Sequence, residues 1–122
     1  MVFTNAGKQF VTWALGSDVG KYISYVGIGS GSGTALVTDE TLTAETNRVA
    51  ITGSPSFATR EVTFQADLNS IQMSGTTLFE WGLFDQASGT GFAGSVWQRE
   101  TIGSVVFDGT NELQILSTLQ VI

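Results

Sequence analysis

Histidine and cysteine are both absent from this 122-residue chain, and Asp, Glu, Lys and Arg together supply only 13% of it. Each absence excludes something. Without histidine there is no side chain that titrates near neutral pH, the most frequent general base and metal ligand. Without cysteine there is no thiol nucleophile and no disulfide scaffold, and the two absences together remove the usual zinc ligands. Long apolar runs are also missing, since none approaches the roughly 20 residues that span a bilayer as a helix. The first residues, Met1-Val2-Phe3-Thr4-Asn5, lack the basic region and apolar stretch of a signal peptide. A protein made in a cytoplasm, with no membrane partner, is the expectation. The redox compartment is left open.

The charge that is present is mostly negative. Five basic residues stand against eleven acidic ones, for a net charge of −6 and a pI near 4.2. Lys8, Lys21, Arg48, Arg60 and Arg99 are scattered along the chain, so no basic stripe exists to meet a nucleic-acid backbone. A soluble domain ordinarily carries roughly 25% charged residues. With half that share and a mean hydropathy of +0.18, much uncharged surface needs cover, and packing against other subunits supplies it. The composition points to assembly before catalysis.

Turn signals roughly every ten residues divide the chain into short strands. The first fifteen residues carry the helix signal: Thr4 or Asn5 as cap, Phe10, Trp13 and Ala14 at i, i+3 and i+4, and Gly16 as stop. Strands are expected over Tyr22 to Ile28, Arg48 to Thr52, Thr59 to Leu68, Thr77 to Phe84, Phe92 to Arg99, Ser104 to Phe107 and Glu112 to Ile122. Val62, Phe64, Ala66 and Leu68 share one face. Leu113, Ile115, Leu119 and Val121 do the same, while Thr77 to Phe84 is apolar on both faces, as in a central strand. A weak stretch lies around Ile71 and Met73, and Gln86 to Gly91 reads as a turn. The predicted fold is all-β, an antiparallel β-sandwich with one short N-terminal helix, in a single domain spanning residues 1–122.

Candidate chemistry is sparse. The segment Gly27-Ile28-Gly29-Ser30-Gly31-Ser32-Gly33 is glycine-rich, but no helix start and no Lys follow it as a phosphate loop requires. It reads as a mobile surface loop. Glu80 and Asp85 flank Trp81 but have opposite parity in one strand, which aims them at opposite faces instead of across a shared sugar. Glu80 reads instead as the partner of an arginine, Arg48 or Arg99. Asp108-Gly109-Thr110-Asn111-Glu112 offers oxygen ligands of the kind calcium takes, without the acidic density of a dedicated loop, and reads as a tight turn. Trp13, Trp81 and Trp97 with Tyr22 and Tyr25 are either a sugar-stacking platform or core and interface anchors, with the second favoured. No cofactor and no metal are expected.

Three segments taken together resemble a family of tailed-phage virion proteins, the minor tail proteins and the N-terminal domains of tail-collar fibres. The first is a strand ending in a G-x-G turn, Tyr25-Val26-Gly27-Ile28-Gly29-Ser30-Gly31. The second is Leu42, Glu45 and Arg48 after a spacer. The third is an aromatic E-x-G-L-F-D, Glu80-Trp81-Gly82-Leu83-Phe84-Asp85, followed by a glycine-containing turn and a strand over Ser88 to Gly94. The resemblance runs over about residues 5 to 100, and the closing strand agrees. Gly82 leaves one face of its strand bare for the close approach of a backbone or ring. Glu45 and Arg48 stand where an ion pair with Glu80 would position the long loop, a pair in the partly exposed class that contributes about 0–1 kcal/mol.

The resemblance implies a non-enzymatic component of a phage virion, in its tail, baseplate or fibre apparatus, whose partners are copies of itself and other virion proteins. The chain ends where such fibre proteins continue into a shaft, so the expectation is a free-standing adaptor, sleeve or decorating subunit. The loop from Gly29 to Asn47 is expected to become ordered only when neighbours clamp it. A capsid decoration protein and a carbohydrate- or receptor-binding module that takes a host-surface glycan are the alternatives.

Overall fold

The computed structural model describes residues 2–16, 22–69, 73, 75, 77–86 and 96–120, with Phe10, Trp13 and Ala14 described by backbone only. Alternating sequence becomes two antiparallel sheets. The larger contains β1 (Val2–Phe3), β7 (Gln98–Val106), β6 (Thr77–Phe84), β2 (Tyr25–Gly29) and β3 (Glu45–Ala50), in that spatial order. The smaller contains β4 (Ser56–Ala58), β5 (Glu61–Asn69) and β8 (Glu112–Gln120). The helix α1 spans Asn5–Gly16. This is the all-β sandwich arrangement expected from the periodicity.

The core lies between the sheets. Phe64, Ala66, Leu68 and Ile115 of the smaller sheet face Val26, Ile28, Trp81 and Leu83 of the larger. Phe107 and Met73 belong to the same buried cluster. The inward set of β8 is Leu113, Ile115, Ser117 and Leu119; Val121, Ile122, Ile71 and the turn over residues 87–91 lie outside the described residues, as does the returning segment 92–95.

β6 and β2 are buried on both sides. Their second face carries a smaller apolar cluster of Leu42, Phe84 and Val96, with Tyr25 packed against it. That accounts for the two-faced hydrophobicity of Thr77–Phe84.

Several boundaries differ from the periodicity. β2 begins at Tyr25, since Tyr22 is exposed and Ser24 is held by side-chain and backbone bonds to the carbonyls of Asp85 and Phe84. β3 starts three residues early, at Glu45, whose pairing to Gly29 follows a register shift after the Ile28–Asn47 pair. The expected short strand Ser104 to Phe107 is the end of the nine-residue β7, which stops at Val106 and leaves the buried Phe107 just past it.

The Thr4 cap fixes how α1 meets the sheet. Thr4 is fully buried, and its Oγ1 accepts the Gly7 N–H at 3.0 Å while donating to the carbonyl of Val96, with the Trp97 carbonyl 3.1 Å away. Its N–H donates to the Trp97 carbonyl at 2.9 Å. One side chain thereby caps the helix and anchors it to the start of β7. Thr4→Ala is expected to lower stability by about 1–2 kcal/mol, with Thr4→Ser retaining most of it, as read by urea denaturation.

Candidate functional site

The long connection between β2 and β3, residues 30–44, crosses the face of the larger sheet that points away from the core. A polar clamp built on Glu80 holds it there. Glu80 sits in the middle of β6, fully buried. Its Oε1 accepts the N–H groups of Ala44 at 2.7 Å and Gly31 at 3.2 Å. Its Oε2 accepts the Thr43 N–H at 2.9 Å and both Nε and Nη2 of Arg99, at 3.1 and 2.9 Å. A carboxylate offers about four lone-pair sites, so these donors saturate it.

Arg99 extends the clamp. Its Nη2 also donates to Thr43 Oγ1 at 3.0 Å, and its Nη1 to Asp39 Oδ2 at 2.9 Å and to the Thr34 carbonyl at 3.3 Å. Burial works against the Arg99 charge, but its hydrogen bonds to Glu80 and Asp39 outweigh that and hold its pKa above the ordinary arginine value. The strap is fastened further by backbone bonds from Asn5 to the Val37 carbonyl and from Val96 to the Glu40 carbonyl.

Glycine permits this approach. A Cβ on Gly29 would sit 2.6 Å from both Glu80 Oε1 and the Ala44 carbonyl oxygen, and one on Gly31 2.5 Å from the Thr43 Cβ. Neither residue belongs to a mobile surface loop: Gly29 ends β2, and both are buried. The strap is clamped by its own chain, contrary to the expectation that neighbours alone would order it.

Arg48 does not reach Glu80. Its Nε and Nη2 pair with Glu45 Oε2 and Oε1 at 2.6 and 3.2 Å, with side chains only 2% and 3% exposed. Its guanidinium carbon lies 3.6 Å from the centroid of the Phe84 ring, and Nη1 donates to the Gln86 carbonyl at 2.9 Å. The Phe84 ring in turn leaves no room for a Cβ at Gly27, its Cε2 being 2.5 Å from that position. Gly27 pairs with Gly82 across the strands. The close approach foreseen at Gly82 comes from within the subunit, where Val96 Cγ2, the Gln98 carbonyl oxygen and Leu42 Cδ2 would lie 2.6, 2.8 and 3.1 Å from a Cβ.

The structure therefore brings Gly27, Gly29, Gly31, Leu42, Glu80, Gly82, Phe84 and the Glu45–Arg48 pair to one face of the larger sheet. Trp81 and Leu83 point the other way, into the core. Asp85 is half-buried just past β6 and belongs to neither group. Trp97 is also a core residue, 4% exposed, so Trp81 and Trp97 form no sugar platform; the Trp13 side chain lies outside the description. Asp39, Thr34 and Thr43 escaped the sequence reading. The available signal was Glu80 itself, because a carboxylate inside a strand apolar on both faces demands a buried cation and further donors.

In the β7–β8 turn, Asp108 Oδ1 is occupied by Thr110 N at 2.9 Å, Thr110 Oγ1 at 2.7 Å and Asn111 N at 3.2 Å. These bonds, the Thr110 side chain first, hold its pKa below the usual aspartate range. Its contribution to stability is complete above the unfolded aspartate pKa and is lost as pH falls through the lower folded value. Among the described residues, no group of three or more acidic side chains is placed to hold a metal ion.

Comparison with known protein families, with curated proteins and with solved structures finds no match to this chain.

Two outcomes test the clamp. Glu80→Gln removes the counter-charge of a buried arginine and is expected to lower stability by about 3–5 kcal/mol, with faster proteolytic cleavage within residues 30–44. In a double-mutant cycle with Arg99→Met, the two losses should fall well short of additive. Asp108→Asn is expected to flatten the acid limb of the stability–pH profile, as measured by thermal melts across the pH range.

Proposed function

We propose that this chain is a non-enzymatic structural subunit of a tailed-phage virion, acting in the tail, baseplate or fibre apparatus as a member of a symmetric oligomer. The observation that carries this reading is the convergence of the three resembling segments. The G-x-G turn, Leu42 with Glu45 and Arg48, and Glu80, Gly82 and Phe84 of the E-W-G-L-F-D strand are far apart in sequence, yet they meet on one sheet face beneath the strap. The motif thus has a single physical meaning, a folding device, which makes its joint occurrence more telling than three short matches.

The chemistry of the clamp favours the same side. General acid–base work needs a carboxyl group with a free lone pair or proton facing substrate. Glu80 has its oxygens engaged by backbone and arginine donors and no exposed surface. What the clamp does produce is a rigid outer loop. Leu36 and Val37, 53% and 47% exposed, are carried at its turn, and Leu15, Tyr22 and Phe57 add further uncovered apolar surface elsewhere. Such side chains on a charge-poor protein suit burial against neighbouring subunits. A glycan-binding role loses two of its three tryptophans to the core.

Immunogold electron microscopy of purified phage particles tests the proposal. Label on the tail, baseplate or fibres is the expected result. Label on the shell would favour the capsid-decoration alternative, and absence from the particle would overturn the virion assignment.

A further inference from the structure

β8 is the longest open edge of the smaller sheet. It pairs with β5 over its whole length, Glu61 opposite Gln120 through Asn69 opposite Glu112, and among the described residues no strand lies along its other side. The direction of its free backbone groups follows from β5. The Gln65 carbonyl is turned away from β8, because it accepts the Thr52 N–H at 2.7 Å. Successive residues of a strand bond to opposite sides, so Phe64 and Ala66 bond to β8, at Ser117 and Ile115. The N–H and C=O groups of Glu112, Gln114, Leu116, Thr118 and Gln120 therefore point outward from the sheet, and all of these residues are exposed.

Natural edges are normally guarded by brevity, proline, a bulge or lysine. β1 and β4 are short, at two and three residues. β8 has none of these guards: it runs nine residues as ELQILSTLQ, its pairing to β5 is unbroken by any register shift, and its one charge, Glu112, is at an end.

We propose that β8 is a self-association edge that pairs antiparallel with β8 of a second copy about a twofold axis at Leu116, joining two three-stranded sheets into one of six strands. The sequence fits its own reversal. With Leu116 opposite the partner's Leu116, Gln114 meets the partner's Thr118, and Glu112 meets the partner's Gln120. Both acidic residues thus face an amide instead of each other, so the pairing carries no like-charge contact. About ten backbone hydrogen bonds form in that register, the largest number any twofold register of this edge allows. At its centre, Leu116 is 58% exposed on a face otherwise made of polar groups such as Thr63, Gln65, Asp67, Gln114 and Thr118, and pairing covers it. An isologous contact of this kind closes as a dimer. The pairing does not depend on where the protein resides.

The chain contains no cysteine, which makes a single introduced thiol a clean probe. In the proposed register, the two Leu116 Cα atoms stand about 5.5 Å apart, inside the roughly 4.4–6.8 Å span of a disulfide. Under mild oxidation, Leu116→Cys is expected to cross-link into a covalent dimer. Gln114→Cys is expected not to, because the two copies of that position lie about 13 Å apart along the strands. In the untreated protein, Leu116→Lys places two like charges on the axis and is expected to weaken dimerisation about tenfold or more, with recovery at high salt and an unchanged circular dichroism spectrum. Sedimentation equilibrium reads the association. A wild-type chain that stays monomeric at high concentration, or Leu116→Cys that cross-links no faster than Gln114→Cys, overturns the proposal. Self-association unaffected by Leu116→Lys also overturns it, while leaving assembly through another surface standing.

Discussion

A carboxylate removed from water must find its donors inside the protein, and Glu80 finds them on three separate stretches of chain. Gly31 comes from the beginning of the strap, Thr43 and Ala44 from its end, and Arg99 from the neighbouring strand. An unmatched buried charge would cost many times what a lost hydrogen bond costs. The strap can therefore leave the sheet only by stranding Glu80 and Arg99 together. The second face of β6 and β2 stays dry for this reason, and Leu42, Phe84 and Val96 can act as core on what would otherwise be the outside of a sandwich. A purely apolar contact would hold the strap just as near but with less definition. Hydrogen bonds to both ends fix its register.

The same constraint explains the glycines. Gly29 and Gly31 are the points where strap, sheet and Glu80 oxygen come closest, while Gly27 and Gly82 form a side-chain-free pair over which the Phe84 ring and Val96 lie. Bulk at these positions meets backbone or an aromatic ring, neither of which moves away cheaply. The Glu45–Arg48 pair then closes the far side of Phe84. Clamp, glycines and ring stack form one continuous object.

Much of the fold was legible because β5, β6 and β8 announce themselves by period: Val62-Phe64-Ala66-Leu68 alternate without interruption, Leu113-Ile115-Leu119 alternate with only Ser117 between them, and Thr77–Phe84 is apolar on both faces apart from Thr77 and Glu80. The clamp was only half legible. Glu80 stood out as a charge in an apolar strand, and Arg99 was one of two cations that could answer it, but choosing between Arg99 and Arg48 needs cross-strand register, which local sequence does not encode. The strap was misread for a related reason. Gly-Ser-Gly composition reports that the backbone is free to turn, whereas its order is imposed by an acceptor about fifty positions later in the chain. Asp39 and Thr43 were invisible on their own, since an acid and a threonine in a polar segment ordinarily face solvent. Trp81 and Trp97 were ambiguous between surface and core until the strand faces were assigned.

Charge economy connects the interior to the edges. Of the five basic residues, Arg48 and Arg99 are spent on internal ion pairs, which leaves few cations with which to guard strand edges. The larger sheet manages without them, because β1 is a stub beside α1 and β3 is covered at its start by the strap and continues, through Thr52, into bonds with β5. Among the described residues no strand lies along the outer side of β8. Its outward row of donors and acceptors is the longest open row of sheet backbone among the described residues, and its one charge stands at an end. In a protein that invests its scarce charges so specifically, an edge left open over nine residues is explained by a strand that arrives from outside the chain.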